Sequence, residues 1–78
     1  MRATEPALAS GIETTAEELV IHVQGRTVRI PWARCSRALA EATEEQRRDA
    51  RLSSGGYGIH WSLLDEDLSV GGLLRSAE

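Results

Sequence analysis

Alternation of apolar and polar residues in the first half of the chain predicts β-strands that are buried on one face. In residues 19–23 the odd-numbered positions are all apolar, and in residues 26–30 the two apolar positions again alternate with polar ones. Gln24-Gly25 separates these segments, and glycine supplies the positive φ that a two-residue hairpin turn requires. The pattern therefore predicts an antiparallel hairpin, preceded by a short strand around residue 12.

A helical period replaces the alternation after the hairpin. Pro31 ends the last strand and suits the first turn of a helix, and apolar residues then recur at three- and four-residue steps from Trp32 to Ala42. This spacing predicts one main helix. Thr43 followed three residues later by Gln46 matches the capping-box pattern, so a second, short and polar helix is expected on the surface.

The second half of the chain predicts shorter elements. Residues 51–53 and 57–61 flank a glycine-containing turn and form a short strand pair. Three acidic residues follow at positions 65–67, and Ser69 then opens a helical turn that buries apolar residues on one face.

Together these elements predict an α+β fold. We expect a small curled antiparallel sheet, made of the N-terminal strands and hairpin plus the later strand pair, packed on one main helix with short additional helical turns. Residues 1–8 are expected to form a flexible N-terminal tail and residues 9–78 a single domain. The residues assigned to the core are apolar and share inward faces: Ile21, Val23, Val28, Ile30, Trp32, Leu39, Ile59, Trp61 and Leu73.

The composition and charge of the chain disfavour several classes of function. The chain has 78 residues, a net charge of −3 and one cysteine, which excludes an internal disulfide. No Cys/His spacing predicts zinc and no motif predicts a cofactor, so neither is expected. The acidic balance disfavours direct binding of nucleic acid. The sequence lacks the apolar stretch of a signal peptide or a membrane span, so a cytoplasmic protein with no membrane partner is expected.

His60 is the residue best suited to chemistry. As a general base it needs a carboxylate to orient it, and Asp65 or Asp67 is close enough in sequence to do so. The only nucleophiles available are Ser62 and Cys35, and neither lies in a known catalytic motif. We therefore assign no catalytic residue and favour a structural role for His60. A small metal-dependent or hydrolytic enzyme centred on His60 and Asp65/Asp67 is the alternative.

The acidic residues Asp65, Glu66 and Asp67 do not match a calcium loop, which needs ligands at alternating positions over about twelve residues and a closing glutamate. They have three possible roles: favouring the positive end of the helix opened by Ser69, forming a solvated face, or contacting arginines of a partner. We assign them no metal.

The aromatic residues divide into two kinds. Trp32 and Trp61 are expected in the core, whereas Tyr57 lies among glycines of a turn and is expected to be exposed. An exposed aromatic residue is typical of a contact hot spot. The candidate partner-binding residues are therefore Tyr57, His60, Asp65, Glu66 and Asp67. A separate group of five arginines alternates with acids and is expected to form a solvated, salt-bridged face: Arg34, Arg37, Arg47, Arg48 and Arg51.

Several of these segments occur together in a known family. The blocks Gly-Ile-His-Trp at 58–61 and Asp-Glu-Asp-Leu-Ser-Val at 65–70, with Ile-Pro-Trp at 30–32, closely resemble the bacterial domain-of-unknown-function 2442 family over residues 12–74. The resemblance implies a small α+β fold with a curled antiparallel sheet and a packed helix. It implies no established activity.

Some members of that family resemble the antitoxin half of a toxin–antitoxin pair and lie beside a small partner protein. The resemblance, the small size and the lack of a catalytic motif together predict a non-catalytic interaction module, antitoxin-like or regulatory. Its partner is expected to be a small protein, a second copy in a homodimer, or both.

Overall fold

The computed structural model describes residues 7–77. Of the tail expected at residues 1–8, positions 1–6 lie outside the described residues. The α+β class is confirmed, but the strands form two three-stranded antiparallel sheets and not one. In chain order the elements are β1 (Gly11–Thr14), β2 (Glu18–Val23), β3 (Arg26–Pro31), α1 (Trp32–Cys35), α2 (Arg37–Ala40), α3 (Glu44–Arg48), β4 (Ala50–Leu52), β5 (Gly58–Trp61), β6 (Glu66–Ser69) and α4 (Val70–Ser76).

The first sheet has the order β1-β2-β3 and contains the predicted hairpin. Gln24 and Gly25 form its turn with φ values of 48° and 77°, which are the two positive values of a primed turn. The register pairs Ile21 with Val28, so apolar residues of both arms face the same side. The alternation in the sequence therefore predicted this sheet correctly.

The main helix predicted from Trp32 to Ala42 is interrupted at Ser36. The backbone of Ser36 is extended, with φ −169° and ψ 164°, so α1 ends there and α2 begins. Its Oγ accepts a hydrogen bond from the backbone N–H of Leu39 at 3.1 Å. Serine favours such caps over helix interiors because its hydroxyl bonds to nearby backbone groups. Two one-turn helices therefore replace the single helix. Trp32, Cys35 and Leu39 of the predicted apolar stripe are buried, whereas Ala42 lies beyond α2 and is only partly buried.

The capping box of α3 is confirmed. Thr43 Oγ1 accepts from the backbone N–H of Gln46, and Gln46 Oε1 accepts from the backbone N–H of Thr43. These bonds satisfy two backbone groups that a helix start otherwise leaves unpaired. No residue of α3 is fully buried, in agreement with a surface helix.

Arg47 of α3 does not lie in a solvated arginine face, as the sequence had suggested. Its Nε donates to the carbonyl of Leu39 at 2.9 Å and its Nη2 donates to the carbonyl of Ala40 at 3.0 Å. Its guanidinium lies 5.6 Å from the ring centre of Trp32, and its own carbonyl accepts from Nε1 of Trp61. Carbonyls at a helix end lack partners within the helix. Arg47 therefore caps α2 and holds both tryptophans in place.

The second sheet has the order β4-β5-β6, and its third strand was not predicted. Glu66 and Asp67 belong to β6, not to a segment ahead of a helix. Asp65 lies in the preceding turn with φ 52°, a left-handed conformation that aspartate tolerates. Acidic residues are depleted in strands, so the propensity of this segment hides the strand, and pairing with β5 outweighs that propensity.

The core lies between the inner faces of the sheets and helices α1, α2 and α4. Of the nine residues assigned to it, all except Val28 are at most 3% exposed. Val28 packs against the core but is only half-buried, because it lies nearer the exposed hairpin turn than Ile30, which is 0% exposed on the same strand. The rings of Trp32 and Trp61 meet edge to face at 6.5 Å in the centre.

A short segment before β1 connects the two sheets. The backbone N–H of Ala9 donates to the carbonyl of Gly56 at 2.8 Å, and that of Ser10 donates to the carbonyl of His22 at 2.8 Å. Gly56 has φ 79°, and a β-carbon there would lie 2.4 Å from the carbonyl oxygen of Ala9. Only glycine fits this position. We call the contact between Ala9 and Gly56 the inter-sheet joint.

Candidate binding groove on the second sheet

The central strand β5 divides its side chains between the core and the surface. Ile59 and Trp61 are buried, so Gly58 and His60 face outward. In the register of the sheet, Arg51 of β4 and Asp67 of β6 flank His60 on either side. One row of side chains, Arg51–His60–Asp67, therefore crosses the outer face, because cross-strand neighbours project on the same side.

A second row lies beside the first, centred on Gly58. Ser53 bonds to Gly58 through its backbone on one side, and Ser69 pairs with Gly58 on the other. A β-carbon at Gly58 would touch only the carbonyl of Leu68, at 3.4 Å, so the space above this glycine is open. The two rows together with Tyr57 line a groove of about 640 Å³.

Tyr57 forms one wall of the groove and is 56% exposed. Its ring lies against Gly55, where a β-carbon would be 2.7 Å from the ring. The exposure predicted for this tyrosine is therefore confirmed. Its ring is held by a glycine turn whose backbone is bonded to Ser53 Oγ.

His60 has one of its two ring nitrogens available. Nδ1 lies 2.8 Å from Oδ1 of Asp67. An ionised carboxylate only accepts hydrogen bonds, so Nδ1 carries the proton and Nε2 of the neutral ring is an acceptor. Nε2 has no hydrogen-bond partner among residues 7–77. The predicted orientation of His60 by a carboxylate is thus present, and Asp67 supplies it.

The other histidine differs in this respect. His22 Nε2 lies 2.8 Å from Oε2 of Glu13, and its Nδ1 lies 3.3 Å from Oγ1 of Thr27. Both ring nitrogens are therefore occupied within the first sheet.

Arg51 is exposed and makes no ion pair with any residue that the structure describes. Arg37 and Arg48 of the predicted arginine face do pair, with Glu41 at 3.4 Å and Glu44 at 3.9 Å. Sequence reasoning assigned Arg51 no role of its own beyond that arginine face. Counting back from the hairpin turn would have placed it opposite His60.

The five candidate partner-binding residues do not form one surface. Tyr57, His60 and Asp67 line the groove. Glu66 pairs with Trp61 and is half-buried on the opposite face, and Asp65 lies in the turn before β6. Alternation along β6 separates the acidic residues, so they cannot act as a single patch.

The terminal helix α4 has the predicted cap. Ser69 Oγ accepts from the backbone N–H of Gly72 at 2.9 Å. The first turn of α4 contains no acidic residue. Val70 and Leu73 of this helix are buried, so α4 closes the core beside the second sheet.

Neither nucleophile considered from the sequence lines the groove. Cys35 is buried, and burial raises the pKa of its thiol to about 11, an effect that the nearby Arg47 guanidinium partly opposes. Its thiolate is therefore scarce at neutral pH. Ser62 lies in the turn that follows β5.

Residues 7–77 contain no group of three or more His, Cys, Asp and Glu side chains arranged to hold a metal ion. Among them, no helix is long and apolar enough to cross a membrane.

Comparison with known proteins identifies relatives of this chain. A family model described as "Protein of unknown function (DUF2442)" matches residues 10–78. No curated protein sequence matches at a significant level. A crystal structure of a protein of unknown function from Rhodospirillum rubrum is similar with a TM-score of 0.78 and 27% identity, over 91% of this chain and 88% of that chain.

A solution NMR structure of an uncharacterised protein from Chromobacterium violaceum is also similar, with a TM-score of 0.71 and 25% identity. This match covers 90% of the present chain and 66% of the other one. The family match confirms the resemblance stated for residues 12–74 and extends it at both ends. The chain therefore belongs to the DUF2442 family of proteins of unknown function.

Proposed function

We propose that the protein is a non-catalytic interaction module that binds a small protein partner through the outer face of its second sheet. In this proposal it is the antitoxin-like or regulatory member of a bacterial two-protein system. The observation that supports it is the groove, where Tyr57 is 56% exposed beside the open space above Gly58. Exposed aromatic side chains that become buried on binding supply much of the binding free energy of protein interfaces.

The proposal includes a cytoplasmic location and no membrane or nucleic-acid partner. The net charge of −3 supports the exclusion of nucleic acid, because phosphate binding depends on excess positive charge. The free thiol of Cys35 agrees with a reducing compartment.

Affinity purification of the tagged protein at native level from its source bacterium, followed by mass spectrometry, tests this function. We expect one small protein in stoichiometric amount. Tyr57→Ala should weaken that complex about tenfold without lowering the melting temperature. Leu63→Ala is the matched control, because Leu63 is 57% exposed and does not line the groove.

Recovery of the protein alone would contradict the two-protein proposal. The remaining interaction is then self-association, for which each sheet offers two edge strands. Light scattering at several concentrations distinguishes a monomer from a homodimer.

A second candidate function, a small hydrolytic enzyme, is favoured by one observation. The 2.8 Å contact between His60 and Asp67 has the geometry of a general base held by a carboxylate, with Nε2 left to accept a proton from water. Asp65 takes no part in this pair. If the protein is a hydrolase, His60→Gln and Asp67→Asn should each abolish turnover of ester or phosphoester substrates, whereas His22→Gln should leave it unchanged. Absence of turnover in the unmodified protein would remove this candidate.

A further inference from the structure

We propose that the groove binds an extended segment of the partner that carries an acidic residue two positions away from an apolar residue. This inference rests on the proposed function, and it specifies the chemistry of the partner. It comes from the different properties of the two rows of side chains that cross the second sheet.

The row centred on Gly58 suits an apolar side chain. Ser53 Oγ already accepts from the backbone N–H groups of Tyr57 and Gly58, both at 3.1 Å, and Ser69 Oγ accepts from Gly72 at 2.9 Å. Both lone pairs of Ser53 Oγ and one of Ser69 Oγ are thus used within the domain, and the two O–H groups can donate to backbone carbonyls of a bound segment. Between the two serines, the row offers a side chain the open space above Gly58 and the Tyr57 ring.

The row centred on His60 suits a carboxylate and an N–H group. Asp67 is engaged by His60, whereas the guanidinium of Arg51 has no anionic partner among residues 7–77. A carboxylate is the group that complements this cation, with bidentate geometry. Nε2 of His60 is an acceptor and complements a backbone N–H. A peptide supplies both groups, whereas a small apolar acid supplies only the carboxylate.

The spacing of the rows matches that of an extended peptide. Gly58 and His60 are two residues apart in β5, which separates the rows by about 6–7 Å. Side chains at positions i and i+2 of an extended segment lie on one side with the same separation. An acid over Arg51 and an apolar residue over Gly58 therefore fit when the segment runs along β5.

Selection from a phage library of random twelve-residue peptides on the immobilised 78-residue protein tests this inference. We expect an acidic residue two positions from an aliphatic or aromatic residue in the selected sequences. A synthetic peptide of that consensus should lose about tenfold in affinity when its acid is replaced by the amide, and about tenfold with the Arg51→Gln protein. Combining both changes should cost no more than either alone, because they remove the same contact.

Arg29→Gln is the matched control. Arg29 lies on the outer face of the first sheet and already pairs with Glu18 at 2.9 Å, so its loss should leave peptide affinity unchanged. Selected peptides that lack an acid, or peptides whose affinity is the same for Arg51→Gln, overturn the inference. A dimer of the free protein that dissociates in Arg51→Gln also overturns it, since a second copy then occupies the groove.

Failure of the inference and failure of the proposed function have different signatures. If the natural complex weakens with Tyr57→Ala but not with Arg51→Gln, the interaction module stands and the acidic segment is excluded. If no partner is recovered but acidic peptides bind in an Arg51-dependent manner, the groove chemistry stands and the two-protein function falls.

Discussion

The outer faces of the two sheets both have a histidine on the central strand beside an acidic neighbour, but they differ in what they leave available. On the first sheet His22 uses both ring nitrogens. Val20, on the same face, has Glu13 and Arg29 as cross-strand neighbours and is only 3% exposed. On the second sheet His60 keeps one free nitrogen, and Gly58 leaves open space beside it. A histidine–carboxylate contact alone therefore does not identify a site.

Three features together distinguish the second sheet. Nε2 of His60 has no hydrogen-bond partner and Arg51 has no ion-pair partner within residues 7–77, and Gly58 has no side chain. The first sheet has the chemistry of a completed surface, in which Arg29 pairs with Glu18 and Glu13 contacts His22. Under the proposed function, the first sheet stabilises the domain and the second sheet contacts the partner.

Substitution of a glycine in the hairpin turn should destabilise the protein much more in the second sheet than in the first, and this is the largest difference that we expect. Gly25 and Gly56 have nearly the same φ, 77° and 79°, but nothing lies near a β-carbon at Gly25, whereas one at Gly56 meets the Ala9 carbonyl at 2.4 Å. Gly25→Ala should cost about 1–2 kcal/mol from backbone strain alone. Gly56→Ala should cost about 3–4 kcal/mol because displacement of the joint is added. Urea unfolding measures both; equal losses would show that the joint does not hold the sheets together.

The next largest contrast in stability is expected between substitutions of Arg47 and Arg51. Arg47→Met removes the donor to the Ala40 carbonyl and the contact with the Trp32 ring. The Leu39 carbonyl loses one donor but keeps a backbone N–H donor. The free energy of unfolding should therefore fall by about 2–3 kcal/mol. Arg51→Met should change it by less than about 0.5 kcal/mol, since Arg51 is exposed. Thermal unfolding of both variants checks this, and a large loss for Arg51→Met would assign it a structural role instead of a binding one.

Cys35 lies in the core, away from both outer faces, and makes the stability of the protein depend on pH. Its pKa is about 11 in the folded protein and 9.0 as the ordinary value, because burial disfavours the thiolate. Unfolding therefore releases a proton between these pH values, and stability should fall as pH rises from about 9 to about 11, by at most about 2–3 kcal/mol. Below pH 9 this group should have no effect. Denaturant unfolding at several pH values measures the slope, and in Cys35→Ala the slope should be absent even though that variant is less stable throughout.

The histidines themselves give the smallest effect on stability and the most direct test of the comparison. His22→Gln should cost about 1 kcal/mol because two cross-strand contacts are lost, while His60→Gln should cost about half as much. Partner or peptide affinity should respond in the opposite order, falling for His60→Gln and remaining constant for His22→Gln. Equal effects on affinity would mean that the outer faces are not functionally distinct.

The sequence predicts the first sheet well because its alternation and the Gln24-Gly25 turn agree with each other. It fails at Ser36, where a good cap outweighs an apolar helical stripe, and at β6, where Glu66 and Asp67 have low strand propensity. In both places the backbone follows tertiary pairing or capping and not the local pattern.

Only part of the candidate site could be predicted, because some of its residues matter through their cross-strand neighbours. Tyr57 and His60 have individual signals in the sequence, an aromatic among glycines and a histidine near acids. Arg51 and Gly58 acquire meaning only from the register that places them beside His60, and register follows from pairing across strands.

The inter-sheet joint has a consequence for the order of folding. Ala9 and Gly56 are separated by more than half of the chain, so closing their hydrogen bond costs about 2 kcal/mol more in loop entropy than closing a short turn between adjacent strands. We expect the sheets to form early and the joint late, after the rate-limiting step. A weakened joint should then accelerate unfolding while leaving the refolding rate almost unchanged, so that it determines how long the native state lasts and not how fast it is reached.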